Sequence, residues 1–246
     1  MSQSAPAPRP SRVRRTAAAA AGLTVLAGLL AACSGGDDGP GEEGQSPEDV
    51  LAEAKQNLDD TPGLNLTVET EELPDGVQGV SSADGAVNRQ PAFEGTLGVE
   101  TSFGGADVPV VAVDDTVYAQ LPLGPGWQEV DPEQYGAPDP ARLLDTETGF
   151  SALLTATEDV EEGETVRGGE DNSEVLTEYT GTVPGEAVQF LIPSAEGDFD
   201  AVYTVDDETL LRRTELTGAF YPDTDPITYV ITFDDYGLDV DITAPS

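Results

Sequence analysis

The 246-residue sequence contains no histidine, one cysteine, one lysine and one tryptophan, and aromatic residues make up only 6% of it. Each scarcity excludes something. Without histidine, neither a Ser-His-Asp triad, nor a Cys-His pair, nor a histidine metal site can be assembled. One cysteine cannot form an intrachain disulfide, and without a second thiol or any imidazole it cannot build a zinc site of usual composition. Cations are scarce too: ten Lys and Arg stand against 48 Asp and Glu, for a formal net charge of −38. A chain of that sign repels phosphate backbones, which excludes nucleic acid as a partner. The acidity reads as a solubility or salt adaptation.

The lone cysteine takes its meaning from its neighbours, "LLAACSGG" at 29–36. Arg9, Arg12, Arg14 and Arg15 form a positive leader without one acidic residue, and Ala17 to Leu30 is an apolar run of mostly small side chains. That run is shorter than the ~20 residues a spanning helix needs, so residues 1–32 read as an export signal rather than a retained membrane helix. Arg14-Arg15 lacks the Phe-Leu-Lys continuation usual in twin-arginine signals. The tetrad Leu30-Ala31-Ala32-Cys33 resembles the bacterial lipobox, in which the cysteine sulfur receives a diacylglyceryl group and becomes the first residue of the mature protein. Cys33 is therefore the expected lipidation site, a tether rather than a nucleophile. One acyl chain holds a protein only marginally, whereas two or more anchor it stably, at about 0.8 kcal/mol per buried methylene. Residues 33–46 then read as the lipidated cysteine and a flexible linker, since Ser34 to Pro47 holds five glycines, four acids and no large apolar residue. Such a segment spans roughly 20 Å on average.

Residues 47–244 are long enough for one domain with its own core. Ser46 and Pro47 predict a helix start, and Val50, Leu51, Ala54 and Leu58 recur at helical spacing until Pro62-Gly63. Period-two segments follow. Leu64, Leu66 and Val68 alternate with polar residues, as do Phe93, Leu97 and Val99. "VPVVAVDDTVYAQL" (108–121) predicts a hairpin turning at Asp114-Asp115, 199–218 predicts another, and 227–235 a further strand. A second helical region runs from Asp139-Pro140 through Leu143, Leu144, Phe150, Leu153 and Leu154, and Pro184 opens a third short helix with Val188, Leu191 and Ile192 inward. The expected class is α+β, with helices packed on one face of a large antiparallel sheet.

No motif for bond-breaking chemistry stands out. "GVSSADG" (79–85) departs from a nucleophile elbow, having Ala83 where the motif needs glycine and no base to serve it. Lys55 reads as a surface charge on the first helix. With 48 acids some carboxylate pair always looks suitable for glycosidase work, so the pairing carries no information. Asp114-Asp115, Asp206-Asp207 and Asp234-Asp235 read as turn residues instead. No segment fits the twelve-residue calcium loop. No enzyme activity, cofactor or metal is expected. Gly95, Gly98, Ala112, Ala119 and Gly181 sit where strands usually carry bulk, a pattern that suits either tight packing or a cavity.

The stretch 108–163 resembles the core of the LppX/LprAFG lipoproteins of mycobacteria and other actinobacteria. The resemblance rests on the Val-Asp-x-x-Val-Tyr-Ala hairpin, the single Trp127, Asp139-Pro140-Ala141, and Asp145 to Phe150 before a Leu-Leu helix. "PAFEGTLGVETSFGG" upstream and "LTEYTGTVPGEAV" downstream agree in order, extending it over 47–244 together with the lipobox. It implies a bent, half-barrel antiparallel sheet whose concave face is covered by helices around an apolar cavity for acylated lipids or glycolipids. It also implies transport of such lipids through the envelope at the extracytoplasmic face of the cell membrane, in some members beside a major-facilitator exporter. Candidate cavity residues are those on the apolar faces of the early strands, Leu66, Val68, Leu97, Val99 and Val111, with Leu144, Phe150, Leu153 and Leu154 from the covering helices; of these, Leu97 and Val99 match inward-facing strand residues of the family by position in "EGTLGVE". The chain departs from the family by its acidity. The alternative reading is an envelope interaction protein with a packed core and no lipid cargo.

Overall fold

A computed structural model describes residues 44–102, 104–135, 137–168 and 173–246. The expected export signal, Cys33 and most of the linker lie outside the described residues.

Helix α1 (Pro47–Asp60) begins where the sequence predicts: the Ser46 hydroxyl accepts the Asp49 N–H at 3.2 Å, Pro47 occupies the first turn, and Glu48 and Asp49 lie at the positive end of the helix dipole. Leu51, Ala54 and Leu58 face the core. Five hairpin-connected strands and a short sixth follow: β1 (Gly63–Thr70), β2 (Gly79–Asn88), β3 (Ala92–Thr101), β4 (Gly104–Val113), β5 (Thr116–Gln120) and β6 (Trp127–Val130). The β4–β5 hairpin turns at Asp114 and Asp115, both at positive φ (54° and 58°), the geometry of a tight primed turn. After a connecting segment with helix α2 (Phe150–Ala156) come β7 (Glu158–Gly168), β8 (Glu174–Pro184), helix α3 (Gly185–Val188), β9 (Glu196–Asp206), β10 (Leu211–Ala219) and β11 (Ile227–Asp234).

The strands form one open eleven-stranded sheet in the order β6-β5-β4-β3-β2-β1-β11-β10-β9-β8-β7, antiparallel at every pairing. Two meanders thus run outward from a central seam, where β1 meets β11 with Leu66 opposite Phe233 and Val68 opposite Ile231. The expected α+β architecture, helices on one face of a large antiparallel sheet, is the one found. The main apolar core lies on that face and includes residues of α1, α2, α3 and every strand from β1 to β5 and β7 to β11.

The second helical region is not continuous. A short 3₁₀ turn (Pro140–Arg142), capped by the Asp139 carboxylate on the Ala141 N–H at 3.0 Å, gives way to a loop before α2 starts at Phe150. Asp145 causes the break: its Oδ1 accepts the N–H groups of Glu147 and Thr148, both at 2.9 Å, and the Thr148 hydroxyl at 3.0 Å. Those bonds offer the backbone an alternative to the helical ladder. They also hold the Asp145 carboxyl below its ordinary pKa, the Glu147 N–H contributing most.

Two cations hold the helices in place. Lys55 Nζ donates to Asp59 Oδ2 (2.7 Å), the Thr146 carbonyl (2.8 Å) and the Ser151 hydroxyl (3.3 Å), so it ties α1 to the segment leading into α2. Arg89, in the β2–β3 turn, donates to the carbonyls of Leu58, Thr61 and Leu144 and lies 3.6 Å from Asp59. Burial pulls the Arg89 pKa down, and the Asp59 charge opposes that shift. The lone lysine is therefore a structural tie and not the free surface charge that the sequence suggested.

Candidate functional site

The inner face of the sheet is filled unevenly. On the β7–β11 side it carries Tyr179, Phe199, Tyr203, Tyr229 and Phe233, all buried, together with Phe220 just beyond β10. Phe150 of α2 meets Phe233 edge-on at 5.7 Å, and Phe220 stands 4.7 Å from Phe199 and 4.9 Å from Tyr229. On the β2–β6 side the inward positions are Ala83, Leu97, Val99, Val108, Val110, Val117, Ala119 and Val130. Phe93 is the one aromatic of β1–β6 in this core, and its ring lies over Gly85 and Gly95, which are directly opposed across β2 and β3. A Cβ at either glycine would sit 2.7–2.8 Å from that ring, so this pair makes room for Phe93 rather than for a cavity.

Beyond Phe93 the short side chains leave the face uncovered, and a cleft of about 1080 Å³ opens along β2–β6. Its floor is Val80, Leu97, Val99, Val108, Val110, Val117 and Ala119. Pro132, Tyr135, Ala137, Pro138 and Pro140 form the opposite wall, and Leu121 to Gly124 with Gly104 to Ala106 form the rim. Among the described residues Glu100 is the only charged one lining it, in a chain that is 24% charged. Two other grooves are polar by contrast. One of about 1260 Å³ is bordered by Glu69, Glu71, Glu72, Asp75, Glu100, Arg213 and Glu215, and one of about 880 Å³ by Asp115, Glu129, Asp131, Glu133, Asp139 and Arg142. Size does not distinguish the cleft; its chemistry does.

At its inner end the cleft adjoins a void of about 60 Å³ lined by Val68, Ala83, Leu143, Leu191 and Ile192, sharing Val80, Leu97, Ala137, Pro138 and Pro140 with it. Two phenols close this end. Tyr229 Oη donates to the Val80 carbonyl at 2.7 Å and so accepts from Tyr221 Oη at 3.0 Å. Burial is the main cause that pushes both phenols above their ordinary pKa, and for Tyr229 the Tyr221 hydroxyl adds to it, so both remain neutral at physiological pH. One carboxylate, neutral hydroxyls and a long aliphatic floor can sequester apolar material.

The sequence-predicted cavity residues separate into three groups. Leu97 and Val99 line the cleft, and Val68 lines the inner void. Leu66, Leu144, Phe150, Leu153 and Leu154 are all but fully buried in the packed core and line neither space. Val111 is on the other face of the sheet, packed with Ala92, Val113 and Ile242 in a separate small core beneath the C-terminal segment. Register explains that correction: Leu97 opposes Val108 and Phe93 opposes Ala112, so the even-numbered residues of β4 turn inward. Sequence reasoning missed Val80, Val110, Val117, Ala119 and Tyr135. Carrying the alternation of Leu97 and Val99 across the hairpin would have found Val110, Val117 and Ala119.

Comparison with known proteins bears on this architecture directly. The structure is similar to that of LprF from Mycobacterium bovis, with a TM-score of 0.65 at 16% identity over 81% of this chain and 97% of that one. It is also similar to the lipoprotein LppX of Mycobacterium tuberculosis, with a TM-score of 0.60 at 18% identity over 80% and 98%. At such identities the likeness is one of fold. No curated protein sequence matches. The family model of the LppX_LprAFG lipoproteins, however, matches residues 46–242, so nearly the whole described domain agrees with it in sequence as well as in fold, and the protein belongs to the LppX_LprAFG lipoprotein family.

Proposed function

We propose that this protein is a membrane-anchored carrier that holds acylated lipids or glycolipids in the β2–β6 cleft and helps move them through the cell envelope. The observation that carries the reading is the cleft itself, walled mainly by Val, Leu, Ala and Pro with a single charged residue among the described ones, in an otherwise strongly acidic chain. Removing a lipid from a bilayer exposes its chain methylenes at about 0.8 kcal/mol each, and only an apolar surface of comparable area offsets that. The aliphatic floor supplies such a surface without any reaction. Leu97, Val99, Val110 and Val117 would touch acyl chain, and Tyr221 with Tyr229 would bound its deep end.

Anchoring supports the same reading. Cys33 would carry the lipid anchor, and residues 34–46 would hold the domain from 47 to 244 at the extracytoplasmic face of the cell membrane. Among the described residues no helix is long and apolar enough to cross a membrane. A major-facilitator exporter would be a fitting source of cargo. The experiment is native mass spectrometry of the full-length protein purified from its own host, with extraction of what it carries. Acylated lipid released in near-stoichiometric amount supports the carrier; a folded protein with no lipid overturns it in favour of an interaction protein.

A further inference from the structure

We infer that the loop joining β5 to β6 is a bilayer-contacting rim through which cargo enters and leaves the cleft, an inference that rests on the carrier reading. The loop, Leu121 to Gly126, reads Leu-Pro-Leu-Gly-Pro-Gly. Leu123 is fully exposed at its tip and at the same time lines the cleft. Only three large apolar side chains are exposed among the described residues, and a second, Tyr135, stands on the opposite wall of the same cleft. Single exposed apolar side chains are ordinary on proteins, but Leu123 and Tyr135 at one mouth, continuous with an apolar floor, form a patch.

Charge singles out the same place. From Thr116 to Gln128 there is no charged residue, the longest such run among the described residues of a chain with 48 acids. A protein of net charge −38 can approach a lipid surface most readily where its carboxylates are absent, and they are absent from this loop. A leucine tip with an amphipathic tyrosine facing it suits the boundary between headgroups and acyl chains, where one part of the contact is apolar and the rest wet. Seated there, the mouth would pass an acyl chain from bilayer to cleft without exposing it to water, removing the largest cost of transfer. A protein partner of comparable stability would need a far larger apolar footprint than two side chains offer. The occupant is therefore a bilayer, of zwitterionic rather than anionic surface.

The test uses the full-length protein in phosphatidylcholine vesicles. Trp127→Phe removes the only tryptophan, and Leu123→Trp or, as a control, Val175→Trp places one at the rim or at the third exposed apolar side chain, on β8 of the other wing. Brominated phosphatidylcholine should quench Trp at 123 strongly and Trp at 175 weakly. In parallel, transfer of a fluorescent acyl lipid to acceptor vesicles should slow about tenfold in Leu123→Asp, a larger change than any fall in the amount bound at equilibrium. Equal quenching at both positions, none at 123, or an unchanged transfer rate would overturn the rim. So would a wild-type dimer that Leu123→Asp converts to monomer, which would assign the loop to a second copy. If wild type binds no lipid even at equilibrium, the carrier reading itself fails, and the quenching result still reports separately on bilayer contact.

Discussion

The wing from β1 to β6 and the wing from β7 to β11 are both antiparallel meanders, hydrogen-bonded to each other along one seam, yet their inner faces end differently. In the second wing rings project far enough to meet α2 and one another, and the space beneath the helices closes. In the first wing valine and alanine stop short, Phe93 reaches only across two glycines, and the cleft remains. Side-chain reach rather than backbone topology thus decides which half is packed. A sheet can be stabilised by one half and leave the other free to bind.

Four substitutions test that division. The largest loss should come from Phe233→Ala, which empties a fully buried site against Phe150 at the seam: about 3–5 kcal/mol, a fall of roughly 10 °C in thermal midpoint. A loss below about 1 kcal/mol would show the second wing to be loosely packed and break the comparison. Lys55→Met should cost less, about 1–3 kcal/mol by chemical denaturation, because it strips charge-assisted bonds from Thr146 and Ser151 while Asp59 keeps its contact with Arg89.

Asp145 makes the next prediction one of pH. Its carboxyl pKa is lowered in the folded state, so its stabilisation is fully present above the unfolded value near 4 and is lost as pH falls through the folded value. Asp145→Asn should be the less stable protein at neutral pH and should converge with wild type once the pH has fallen through the lowered folded-state value. Stability curves that stay parallel throughout the acid range would remove Asp145 from the helix break. The smallest change in stability should follow Val99→Trp. In the open cleft it should cost less than about 1 kcal/mol while displacing copurified lipid, whereas in a closed core it would overpack and cost about 1–3 kcal/mol. A large drop in midpoint with lipid retained would erase the distinction between the wings.

Much of the architecture was legible because local chemistry and tertiary structure agree. The Ser46 cap, the Asp114-Asp115 turn and the alternation in 64–68 and 227–234 carry their own signals. Strand β7 carries none, since only Val160 of its eleven residues is buried and glutamates dominate the rest. As an edge strand it needs charge to resist pairing with other chains, and that charge hides it. Strand β2 is nearly as quiet, six of its ten residues being Gly, Ser or Ala. The cavity residues were only half legible. Val108 to Val113 is apolar throughout because both faces are covered, by the core on one side and by Val240 and Ile242 on the other, so periodicity could not tell Val110 from Val111. Nor could composition distinguish the leucines of α2, which fill a core, from the valines of β4, which border a space.

The central seam also governs the order of events when the protein is made. Asn65 on β1 bonds the Asp235 carboxylate just after β11 at 2.6 Å, across 170 positions of sequence. Hairpins of either wing can form as they emerge, but the two wings can join only after the last strand has been synthesised. Closing so long a loop is entropically costly and slow. Until then β1 is an unpaired edge in the middle of the future sheet. The sheet therefore stays open at its centre, and the fold incomplete, until nearly all of the chain has been made.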